Sequence, residues 1–292
     1  MFPLVDPAWL DDHFGARSPD KKAEIDSELR LIDVRWYLSG KRGKDAYDVG
    51  HLPNAVFLDL DTQLAGDPKI GPGRHPIPSA EAFERLMREI GVNDSTMVVV
   101  YDDAGGSIAG RLWWLLRYYG HDQVAVLDGG IEAWKKGRRV LSTKAPTFPP
   151  GDFAVKRSRI SKVDRAEVRR ALARGALVID ARAHDRYRGE SEPVDPKPGH
   201  IPGAVNAPWS ENLVSGKFLP VGDLGAKYRD FGANSDREII VYCGSGVTAC
   251  HDLIALELAG IPGAKLYEGS WSDWSKQADP GAIATGEDPG KL

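Results

Sequence analysis

Residues 239–260 read IIVYCGSGVTACHDLIALELAG, and residues 98–120 read VVVYDDAGGSIAGRLWWLLRYYG. Each begins with an apolar run ending in tyrosine, curls through glycines and continues as an apolar helical pattern. The pairing is not isolated. LIDVR (31–35) answers LVIDAR (177–182), GHLPNAV (50–56) answers GHIPGAV (199–205), and VLDGGIEAW (126–134) answers KLYEGSWSDW (265–274). The four matches keep their order at spacings of 140 to 149 residues, the mark of an internal duplication.

In each copy short apolar runs of strand type alternate with helical patterns. The runs are Leu31–Val34, Ala55–Leu58, Met97–Tyr101 and Val124–Leu127 in the first, and Leu177–Asp180, Ile239–Tyr242 and Ala264–Tyr267 in the second. Residues 79–91 form a helical stretch with Ser79 as its cap, and Ser161 is the expected cap of the stretch 161–175. Apolar strands alternating with helices predict α/β domains, each with a mostly parallel central sheet flanked by helices. The segment LSTKAPTFPPGDF (141–153) holds three prolines, so the expected organisation is a domain over 1–142, a linker over 143–153 and a domain over 154–292. The 292 residues agree, at roughly 150 residues per domain.

Composition excludes several classes. Lys and Arg number 38 against 42 Asp and Glu, a net charge of −4 that gives no basis for nucleic-acid binding. No run of 18 apolar residues predicts a membrane span, and MFPLVDPAWLDDHFGA lacks a basic segment followed by an apolar one, so no signal peptide is expected. Two cysteines, Cys243 and Cys250, are too few for a disulfide scaffold or a cysteine-rich zinc site. The expectation is a cytoplasmic monomer with no metal or organic cofactor and no membrane partner.

Cys243 follows a strand and precedes Gly244, Ser245, Gly246, Val247, Thr248 and a helix. Glycines let such a loop turn its N–H groups inward, and the helix N-terminus adds positive potential. Both favour a thiolate, the nucleophilic form of cysteine. Cys250 fits the apolar pattern of the helix and reads as a core residue. In the first copy Asp102 stands where Cys243 stands in the second, so one nucleophile per chain is expected. A cysteine phosphatase is disfavoured because the sixth residue after Cys243 is Ala249 and not an arginine. A non-catalytic sulfur-carrier or binding scaffold is the alternative from another class.

These motifs, with DARAHDRYRG and YEGSWSDW, resemble the tandem-domain rhodanese-like sulfurtransferases over nearly the whole chain. The resemblance implies two rhodanese-like domains and a ping-pong reaction. A Cys243 persulfide would carry sulfur from a small anionic donor to a thiol, a thioredoxin-like protein or cyanide. It implies catalytic roles for Cys243, Ser245, His75 and Asp61, the last two through the stretch FLDLDTQLAGDPKIGPGRHPIP. It implies substrate contacts from Arg186 and the loop residues Gly244, Gly246, Val247 and Thr248. The loop CGSGVT resembles the mercaptopyruvate type, with Ser245 where the thiosulfate type carries lysine. The second substrate arginine of that type falls at Asp195, as is common in thiosulfate-type sequences, and Arg188 or Arg74 is the expected substitute. The expected donor is 3-mercaptopyruvate, with thiosulfate the alternative. Arg182 reads as a structural partner of Glu268 or Asp180, and His51 and His200 as structural residues of equivalent turns. Trp36, Trp209, Trp271 and Trp274 are candidates to line the cleft.

Overall fold

The computed structural model describes residues 3–14, 29–276 and 280–292. The chain divides into two compact units: Met1–Leu64 with Pro78–Arg159, and Ala65–Ile77 with Ile160–Leu292.

In the first unit five strands form one sheet: β1 (Leu4–Val5), β2 (Leu29–Asp33), β3 (Ala55–Phe57), β4 (Met97–Tyr101) and β5 (Val124–Leu127). Their order is β1-β5-β4-β2-β3, and every pairing is parallel. The second unit repeats the plan with β6 (Lys162–Val163), β7 (Leu177–Asp180), β8 (Ala204–Asn206), β11 (Ile239–Tyr242) and β12 (Lys265–Tyr267), ordered β6-β12-β11-β7-β8 and all parallel. A two-stranded antiparallel hairpin of β9 (Leu213–Val214) and β10 (Lys217–Phe218) is added. β4, β5, β7 and β11 are almost wholly buried, as parallel strands covered on both faces must be. The cores mirror each other: Leu31, Val99, Tyr101, Leu127 and Trp134 in one, Val178, Ile240, Tyr242, Trp271 and Trp274 in the other.

The repeated LID-x-R and GH-x-P motifs make the same joint twice. Arg35 grips Asp33 and donates to the Gly50 carbonyl at 2.8 Å. Arg182 grips Asp180 and donates to the Gly199 carbonyl at 2.7 Å. His51 and His200 stack on Tyr47 and Tyr187, and Nδ1 of each is hydrogen-bonded to the carbonyl oxygen of the tyrosine it stacks on. Both histidines are fully buried, so the turns are structural in both copies.

Three expectations differ from the fold. Ser79 does cap the helix Ala80–Glu89, accepting from the Ala82 N–H. The later helix, however, starts at Arg165 and is capped by Asp164 rather than Ser161. Lys162 and Val163 are spent on the edge strand β6, so the helix cannot begin earlier. The stretch 143–153 is packed chain: Phe148 and Phe153 are buried, and Gly151 and Phe153 donate to the Arg88 and Val92 carbonyls. Proline there fixes an extended run without loosening it. Residues 65–77 join the second unit although they lie in the first half of the sequence. Among the described residues no helix is long and apolar enough to cross a membrane.

Candidate active site

β11 ends at Tyr242 and delivers Cys243 into a loop that runs to Thr248, before the helix Ala249–Leu258. The loop is pinned from β12 and the turn after it. The Cys243 and Gly244 carbonyls accept from the Trp271 and Ser272 N–H groups at 2.9 and 2.8 Å. The Cys243 N–H donates to Ser270 Oγ at 3.1 Å. Gly246 sits at φ +76°, and a Cβ there would lie 2.6 Å from the Glu268 carbonyl oxygen, so only glycine fits. Among the described residues the N–H groups of Gly244, Ser245, Val247 and Thr248 make no hydrogen bond. Cys243 is buried and free; Cys250 is fully buried in its helix, with its thiol on the Gly246 carbonyl.

The first copy shows where such a loop aims its donors. Asp102, at the position of Cys243, is fully buried and accepts four backbone N–H bonds: from Ala104 and Gly106 on Oδ1, and from Ile108 and Ala109 on Oδ2, all at 2.8–2.9 Å. Burial pushes its carboxyl up against the pull of those bonds. Ala104 and Gly106 align with Ser245 and Val247. The loop of the first copy is thus an anion cradle filled by its own side chain.

The segment 65–77 brings two further groups to the loop. His75 Nδ1 is hydrogen-bonded to Ser245 Oγ at 2.7 Å, and both residues are buried. Arg74 is anchored by its backbone N–H on Ser272 Oγ and pairs with Asp195. Arg186 pairs with Glu192 at 2.6 Å and with Asp195 at 3.3 Å. Arg182 reaches Glu192 at 3.2 Å and Asp180 at 2.6 Å. Cations and carboxylates therefore alternate from Asp180 to Arg74. Burial holds Asp195 above the ordinary aspartate range, although Arg74 and Arg186 pull it down.

The structure brings together, within the second unit, Cys243, Gly244, Ser245, Gly246, Val247, Thr248, His75, Arg74 and Arg186. Asp61 lies in the first unit, where its carboxylate accepts from the Trp36 indole at 2.8 Å. The Arg188 guanidinium forks onto its near neighbour Glu190 at 2.8 Å on both arms. Arg182 takes Asp180, and Glu268 is taken by Lys162. Trp271 and Trp274 are fully buried in the core. Sequence reading missed Ser270, Ser272 and Glu192. Ser270 carried a signal, because it aligns with Gly130 and shares its positive φ, +52° against +54°.

The rhodanese-like domain signature matches residues 7–137 and 164–277. A probable 3-mercaptopyruvate sulfurtransferase of Pseudomonas aeruginosa is 41% identical over 268 residues, covering 89% of this chain and 93% of that protein. A putative thiosulfate sulfurtransferase of Mycobacterium tuberculosis is 39% identical over 255 residues, covering 86% and 89%. The crystal structure of a 3-mercaptopyruvate sulfurtransferase from Escherichia coli superposes with a TM-score of 0.80 at 34% identity, covering 93% of this chain and all of that one. The chain belongs to the rhodanese family. It is a two-domain sulfurtransferase that works through a cysteine persulfide.

Proposed function

We propose that the enzyme takes sulfur from 3-mercaptopyruvate, with Cys243 as nucleophile. The observation that carries this reading is the buried Ser245–His75 pair beside the loop. A thiolate attacking the donor sulfur breaks its bond to carbon, and the electron pair leaves as the enolate of pyruvate. That enolate needs a proton at carbon and a donor at its oxygen. With Nδ1–H of His75 donating to Ser245 Oγ, the serine hydroxyl is free to donate to the keto oxygen as charge builds on it. The thiol proton of the donor ends on the methyl group of pyruvate, and Cys243 is left as a persulfide. The loop N–H groups of Gly244, Ser245, Val247 and Thr248 stabilise the sulfur anion, and the outer sulfur then passes to a thiol or to cyanide. Asp61 belongs to this reading as a further member of the proton relay, to be tested by D61N.

Thiosulfate is the second reading, favoured by Asp195 and by the Mycobacterium relative. Its leaving group, sulfite, departs as a stable anion and needs no proton. The two readings separate in S245A and H75N assayed on both donors. On the first, parent kcat/KM is higher for 3-mercaptopyruvate, and both substitutions lower its kcat by about 100-fold while costing thiosulfate far less. Equal losses on both donors, or a parent preference for thiosulfate, overturn it. A one-sulfur mass gain on Cys243 after donor exposure separates both from a non-catalytic scaffold.

A further inference from the structure

The segment 65–77 is a loop closed on itself. The Gly66 N–H donates to the Pro76 carbonyl at 2.8 Å, and the Gly71 N–H to the Asp67 carbonyl at 3.0 Å. It carries His75, whose ring meets Ser245. A ring that must stay on one hydroxyl needs its backbone fixed as well, because small misplacements of a reacting group cost rate.

The fixing point is Ser272, 1% exposed. Its Oγ donates to the Gly269 carbonyl at 3.0 Å and accepts from the Arg74 N–H at 3.0 Å, while its own N–H donates to the Gly244 carbonyl at 2.8 Å. With the hydroxyl proton committed to Gly269, a lone pair is left for Arg74. The nucleophile's loop, the turn after β12 and the segment backbone thus meet at one side chain, beside the residue that precedes His75. Gly73 makes the close approach possible. It sits at φ +72°, and a Cβ there would lie 2.5 Å from the Gly269 carbonyl oxygen and 2.7 Å from Ser272 Oγ. The duplication supplies a control. Glu132 holds the position of Ser272 in the first copy, where it is exposed and paired with Lys135 at 2.8 Å. The buried serine belongs to the copy that carries the nucleophile.

We infer that Ser272 is a positioning residue for sulfur transfer: it docks the segment 65–77 against the nucleophile's loop and so sets the His75 ring on Ser245. This rests on the reading of Ser245 and His75 as the proton relay. Ser272 touches no reacting atom in this scheme and acts through His75.

The test combines kinetics with backbone hydrogen exchange followed by mass spectrometry, on S272A, H75N and the double variant S272A/H75N. Removing one hydrogen bond is expected to speed exchange over residues 65–77 about tenfold while residues 239–258 keep the parent rate. S272A should lower kcat for 3-mercaptopyruvate about tenfold, and for thiosulfate far less. In the H75N background it should cost nothing more. Additive losses in the double variant, equal losses on both donors, or unchanged exchange over 65–77 overturn the assignment. Should S272A fail to fold, G73A wedges the same seam from the other side and must give the same pattern. A parent enzyme in which H75N costs nothing on either donor overturns the relay reading alone. The docking role then stands if S272A speeds exchange over 65–77, and falls if it does not.

Discussion

Ser270 accepts the backbone N–H of Cys243 at 3.1 Å while donating to the Tyr267 carbonyl at 2.9 Å, and it does so from a left-handed backbone, φ +52°. The first copy has glycine there, at φ +54°. The serine thus carries a conformational cost so that its hydroxyl can fix the nucleophile's amide. S270A keeps the strain and orphans a buried N–H, so it is expected to lose about 1–3 kcal/mol. S270G relieves the strain and loses less. Thermal unfolding of the two variants, ranked against the parent, checks the order.

Asp102 is the structural counterpart of Cys243 and closes its own loop. In D102N one carboxylate oxygen becomes an NH2 group, which must face two backbone N–H groups it cannot accept from. The expected loss is about 2–4 kcal/mol, read as an earlier unfolding step in denaturant. Cys243 in the folded fraction should still gain one sulfur from donor, by mass spectrometry.

Gly246 and Gly260 test what glycine is for. Both have positive φ, +76° and +74°, but only Gly246 faces an obstacle, the Glu268 carbonyl. G260A is expected to cost about 1 kcal/mol and no activity. G246A displaces the loop as well, and kcat should fall by about 100-fold, as small misplacements of a reacting group do. Activity per folded molecule separates the two.

Asp252, fully buried on the helix that follows the loop, accepts from Asn212 Nδ2 at 2.7 Å. Burial pushes its carboxyl up to about 7, against the pull of Lys227. A carboxyl raised in the folded state keeps its proton after the unfolded chain has released it. Its contribution is therefore full at pH 4 and declines as pH rises towards 7, by roughly 4 kcal/mol in all. D252N, which never ionises and can still accept from Asn212, should match the parent near pH 4. At pH 8 it should exceed the parent by about 2 kcal/mol or more. Urea unfolding at the two pH values checks the crossover.

Much of the molecule was legible in the chain. The duplication, the parallel sheets and the strand–loop–helix at Cys243 all rest on patterns within a few tens of residues. Strand alternation, glycine turns and helix stops report on local conformation, and the second copy checks each reading of the first. Arg182 on Asp180, two residues apart, was within reach for the same reason. The edge strands β1 and β6 were not, because two residues make no pattern.

By itself the sequence determined that this protein carries one nucleophilic loop in the second of two duplicated α/β units. The nucleophile, its glycines and its helix are contiguous, and their geometry is local. Only the tertiary structure decided what surrounds that loop. Arg74 and His75 stand 121 and 170 residues from their partners Asp195 and Ser245. Charge pairing at that separation is set by where the segment 65–77 packs, a matter of the whole fold's burial and not of any local pattern. The same packing turned Asp195 from an apparent gap in the substrate site into the partner of both its arginines.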